Sequence, residues 1–181
     1  MGRVTMETRQ INGLNYRTGY SYDLNGNVST IIYPGGREIT YSYNQLNKVS
    51  SVSETYLGVT RTLVNNISYL PYGDITSMTY GNGITTTRTY DNRNRLNSLT
   101  VGALKQLSYS RDNDGNITAI TDVLHPAKNK TYTYDALGRL TIATGPWGAI
   151  TYAYDHAGNR TYETTDTGST TYNYTISTNK L

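Results

Sequence analysis

The sequence predicts an all-β fold in which tandem β-hairpins form one curved antiparallel sheet. Three observations predict it. The first is composition: 19 of the 181 residues are Tyr, Phe is absent and only 36% are hydrophobic. Tyrosine must give its hydroxyl a partner or keep it wet, which favours sheets with a solvated face over a thick dry core. The second is recurrence of a nine-residue unit, seen most cleanly at Tyr132 to Leu140 as YTYDALGRL. The third is that large and small side chains alternate inside that unit with the period of a half-buried strand.

Each element follows from the columns of this repeat. With the second aromatic as anchor, the copies centre on Tyr22, Tyr43, Tyr69, Tyr90, Arg111, Tyr134, Tyr154 and Tyr174, at intervals of 20, 21, 23 or 26 residues. A hairpin of two strands of about six residues, with its two short turns, occupies about twenty. Two positions earlier stand Tyr20, Tyr41, Ile67, Arg88, Tyr109, Tyr132, Tyr152 and Tyr172. Residues two apart share a strand face, so both columns point one way, and adjacent repeats are expected to pack ring against ring. The positions between them, from Ser21 to Asn173, are all small or polar and point the other way.

The anchor is followed by Asp23, Asn44, Asp91, Asp112, Asp135 and Asp155, with Leu70 and Thr175 as exceptions. Asp and Asn cap turns by accepting backbone N–H bonds. Three residues later come Gly26, Asn47, Gly73, Asn94, Gly115, Gly138 and Gly158, then Thr178. Gly and Asn enter the left-handed backbone region most cheaply, so this column predicts a positive φ. An apolar column resumes six residues after the anchor (Val28, Val49, Ile75, Leu96, Ile117, Leu140), with Arg160 as the exception. A second lies three residues further on (Ile31, Val52, Met78, Leu99, Ile120, Ala143). Three is not a multiple of two, which predicts a β-bulge between the columns and extra twist.

Second turns are signalled at Pro34-Gly35-Gly36, Gly81-Asn82-Gly83, Gly145-Pro146-Trp147-Gly148 and Asp166-Thr167-Gly168. The two long intervals carry extra residues around Tyr56 to Thr60 and Leu124 to Lys128, expected as longer surface loops. Met1-Gly2-Arg3-Val4 matches Leu137 to Leu140, and Leu181 stops at the equivalent place. Residues 1–181 therefore read as a single array cut at both ends from a longer one. Its end strands would pair with further repeats of a parent chain or edge to edge with another copy.

The bulk numbers remove several classes of function. A net charge of +3 with scattered basic residues gives no nucleic-acid footprint. No apolar stretch is long enough to span a membrane, and this chain carries no signal peptide. Cysteine is absent, which excludes disulfides and thiolate metal sites. No cofactor is expected. The acids recur at one turn position, so capping explains them better than catalytic pairing. Asp112-Asn113-Asp114-Gly115-Asn116 is a poor calcium loop, because Ile117 stands where glycine is needed and Val123 where the bidentate acid is needed. His125 and His156 have no partner at zinc-ligand spacing.

The strings YSYDLNGNV (Tyr20 to Val28), YTYDALGRL (Tyr132 to Leu140) and YAYDHAGNR (Tyr152 to Arg160) resemble the YD repeats of Rhs proteins, and the resemblance covers nearly the whole chain. Insecticidal toxin-complex subunits and teneurins are related. The resemblance implies a segment of hollow β-shell, and in bacterial members a shell that encloses a C-terminal toxin polypeptide. It implies a bacterial protein, secreted or at the cell surface, and a structural, non-enzymatic role for this stretch. The aspartyl autoprotease segment and the toxin of a full member are not evident before Leu181. A carbohydrate-binding or adhesion module using the Tyr-rich face is the alternative, with Trp147 as the first stacking residue to test.

Overall fold

The computed structural model describes residues 2–174. Two compact units divide the chain at Arg88 and Thr89. Among the described residues sixteen strands follow one another, and within each unit neighbours in the chain are hydrogen-bonded neighbours in an antiparallel sheet. The all-β expectation holds, with one short 3-10 helix (Pro126–Lys128) among the described residues.

The first unit holds β1 (Met6–Ile11), β2 (Leu14–Tyr22), β3 (Val28–Ile32), β4 (Glu38–Tyr43), β5 (Val49–Tyr56), β6 (Val59–Tyr69), β7 (Ile75–Tyr80) and most of β8 (Thr85–Tyr90). The second holds β9 (Leu96–Val101), β10 (Lys105–Arg111), β11 (Ile117–Asp122), β12 (Lys130–Tyr134), β13 (Leu140–Gly145), β14 (Gly148–Tyr154), β15 (Arg160–Thr165) and β16 (Gly168–Thr171). From β2 to β14, each even strand ends on the repeat anchor. From β3 to β15, each odd strand begins six residues after an anchor.

The bulge sits where the two apolar columns require it. Tyr22 faces Val28 while Ser21 faces Thr30, so Ser29 is the extra residue and Ile31 returns to the face of Tyr20. The same shift recurs before Tyr43, Tyr69, Arg111, Tyr134 and Tyr154. Across these hairpins Tyr20 opposes Ile31, Tyr41 opposes Val52, Tyr109 opposes Ile120 and Tyr132 opposes Ala143. The two ring columns are half-buried, whereas all eight residues between them are exposed. The interior is thin: Ala143, at 6% exposure, is the one buried hydrophobic residue among those described.

One expectation is corrected. The extra residues around Tyr56 make no long loop; the β5–β6 tip is only Leu57-Gly58, both with positive φ (50° and 76°), the signature of a tight two-residue hairpin. The surplus is absorbed by long strands, eight residues in β5 and eleven in β6, with register shifts inside β6. Extending a ladder keeps backbone groups paired, which a loop of the same length would not do. The other long interval does form a connecting segment, containing the 3-10 helix. Thr175, Thr178 and Leu181 lie outside the described residues.

Candidate functional site: the row of tyrosine–aspartate turns

Each turn is built the same way. In the turn after Tyr134, the Asp135 N–H donates to the Arg139 carbonyl (2.9 Å) and the Gly138 N–H donates to the Asp135 carbonyl (2.9 Å). This is a tight turn closed by a left-handed residue, and Gly138 has φ 73°. The equivalent Gly26, Asn47, Gly73, Asn94, Gly115 and Gly158 also have positive φ.

The acid locks the turn from within. Asp135 Oδ1 accepts the N–H groups of Leu137 and Arg139, both at 2.9 Å, and Oδ2 accepts Arg139 Nε at 2.6 Å. Asp91 repeats the pattern with Arg93 and Arg95. Asp23, Asp112 and Asp155 use Asn27, Asn116 and Asn159 for the side-chain bond. Asn44 accepts the two backbone bonds without a charge. Because hydrogen-bond donors converge on the ionised form, all five carboxyls are held below the usual range. Asp91 falls to about 2, chiefly through the Arg95 N–H.

The anchor couples one turn to the preceding repeat. Tyr43 Oη donates to the Val28 carbonyl, Tyr69 to Val49, Tyr134 to Ile117 and Tyr154 to Leu140, at 2.7 to 2.8 Å. Tyr22 donates to Val4, which puts Val4 in the position that Val28 holds one repeat later. Arg111 replaces the phenol and still reaches the equivalent carbonyl, Nη1 to Leu96 O at 2.8 Å. Burial pushes the phenols of Tyr43, Tyr69 and Tyr134 up, with nearby Tyr132 and Asp112 adding to the effect at Tyr134.

Five residues after the anchor lies a column that sequence reasoning passes over as merely polar. Its cations reach the next turn: Arg3 covers the Tyr22 ring at 5.4 Å, Lys48 covers Tyr69 at 5.1 Å and Arg139 covers Tyr154 at 4.9 Å. Lys48 also donates to the Leu70 carbonyl and Arg139 to the Asp155 carbonyl. At Tyr22, Tyr69 and Tyr154 the anchor ring therefore faces a cation, where a neighbouring ring is the sequence-based expectation. Arg160, the exception in the apolar column, lies over both Tyr152 (5.5 Å) and Tyr172 (4.6 Å) and pairs with Glu163.

The remaining candidates are distributed along the same row. Tyr20 and Tyr41 occupy strand faces in β2 and β4, and Tyr90 and Asp91 stand at the end of β8. Tyr172 and Tyr174 follow β16. Trp147 stands apart, half-exposed in the β13–β14 turn. No cluster of three or more acids, His or Cys able to hold a metal occurs among the described residues. No helix there is long and apolar enough to cross a membrane.

The teneurin YD-shell family model matches residues 4–149. No curated protein matches significantly. Among solved structures, the chain is similar to the crystal structure of TcdB2-TccC3-Cdc42, with a TM-score of 0.75 and 21% identity over 91% of this chain and 10% of that one. The Photorhabdus luminescens Tc holotoxin pore with a mutant TccC3 gives 0.72 and 22% over 87% and 9%. TcdB2-TccC3 without its hypervariable C-terminal region gives 0.71 and 20% over 92% and 9%. At these identities the likeness is one of fold, and the chain spans about a tenth of each of those chains.

Proposed function

Since the chain belongs to the teneurin YD-shell family, we propose that residues 1–181 are one stretch of shell wall, whose role in a longer protein is to enclose a polypeptide. The observation that carries this is the phenol-to-carbonyl bond repeated from hairpin to hairpin at Tyr22, Tyr43, Tyr69, Tyr134 and Tyr154. It couples each of these repeats to the one before and commits the hydroxyls to structure. The carboxylates are likewise committed to turn N–H groups and held ionised, which suits a cap and not a proton donor. The role is therefore non-enzymatic.

The toxin-complex structures that share the fold support a toxin polypeptide as the enclosed cargo, and a protein that acts outside the cell that makes it. The test is single-particle imaging of the protein whose reading frame carries this chain. A hollow wall around polypeptide density is expected; a solid domain or an empty, open sheet overturns the proposal.

A further inference from the structure

Apart from the turn row, the second unit contains a cavity of about 430 Å³ between the β10–β12 region and the β13–β14 turn. Its size lies within the range of small-ligand sites. Leu107 and Ile120 supply apolar lining and the Trp147 indole a flat wall. Around them stand Lys105, Lys128 and Lys130. None of the three has a carboxylate at ion-pair distance among the described residues.

The one acid in the lining, Asp122, is only 4% exposed and is already engaged. Its Oδ1 accepts the N–H groups of Leu124 (3.2 Å) and His125 (3.0 Å) and lies 3.4 Å from His125 Nδ1. The cavity therefore keeps a surplus of positive charge. The six-membered ring of the indole lies over Gly145, where a Cβ would come within 2.8 Å of it. Lys130 Nζ stands 5.5 Å from the ring centroid, and Trp147 remains 46% exposed.

We propose that this cavity binds a planar aromatic anion, its ring on Trp147 and the aliphatic lining, its carboxylate or phosphate among the three lysines. A bare inorganic anion would leave the indole and the leucine and isoleucine surface in water. A neutral ring would leave the lysines without an anion to neutralise them. A ligand with both features satisfies both surfaces, since stacking and charge-assisted hydrogen bonding each contribute.

Trp147 is the single tryptophan of the chain, so its emission reports this site alone. Titration of the whole chain with phenyl phosphate or benzoate should give a saturable change. Inorganic phosphate and benzyl alcohol should bind at least about tenfold more weakly. Replacing Lys105→Gln and Lys130→Gln together should weaken phenyl phosphate by about tenfold or more while circular dichroism stays unchanged. Lys105→Gln alone, at an exposed position, provides the same readout in smaller measure if the double variant folds poorly. A response without saturation, equal binding of either comparator, or undiminished affinity in the lysine variants overturns the proposal.

Discussion

At the scale of single residues, the repeat is governed by backbone geometry. Gly138 sits at φ 73°, and a Cβ added there would meet only Asn116 Nδ2, at 4.0 Å, so a side chain meets conformational strain and not a clash. Gly138→Val should cost about 1–2 kcal/mol in thermal or denaturant unfolding. Gly138→Asn should cost clearly less, because Asn47 and Asn94 hold the same position at φ 56° and 57°. The carboxyls give a second residue-scale expectation. Their pKa values are lowered on folding, so the stability they contribute is present above about pH 4 and is lost as pH falls through the folded value. For Asp91 that loss extends down to about 2. Asp91→Asn keeps the backbone acceptor, as Asn44 does, and should flatten part of the acid limb of a melting-temperature profile.

Residue types reveal this scale well: glycine, asparagine and aspartate mark the turns because few others fit. What the sequence conceals is the column five residues after the anchor, held by Asn27, Lys48, Asp74, Arg95, Asn116, Arg139 and Asn159. Asn27 closes its own turn, Lys48 reaches the next turn, and Arg139 does both. Their shared polarity says only that the position is polar.

At the scale of the hairpin, the period fixes which columns share a face and the bulge reconciles them. That is legible, because a three-residue offset between apolar columns cannot sit on one face of a regular strand. The length of β6 is not, since a strand and a loop can take up the same surplus residues. The coupling between hairpins also stays hidden, because a tyrosine column suggests ring stacking more readily than a hydroxyl aimed at a carbonyl. Tyr134→Phe tests that coupling. Removing the 2.8 Å bond to Ile117 leaves a part-buried carbonyl without its donor and should cost about 1–2 kcal/mol. Hydrogen exchange should rise first in β11 and β12, the strands on either side of the bond. Unchanged exchange and stability would show that the phenol does not couple the hairpins.

At the scale of the whole chain, repetition is what sequence displays best and what the proposed wall depends on. Eight anchors in register point to an array, and the family model matches residues 4–149, which carry the first six of them. The candidate chemistry is less legible. Trp147 stands out in the sequence as a lone ring in a turn, but Lys105, Lys128 and Lys130 are drawn around it only when β10, the 3-10 helix, β12 and the β13–β14 turn come together. The wall itself is most directly tested by imaging the full-length protein at a resolution that traces the strands. A shell wall requires that the hairpins of residues 2–174 continue into further repeats, with polypeptide density held inside. Density showing the same hairpins around no interior, or packed against a solid core of their own, would contradict it.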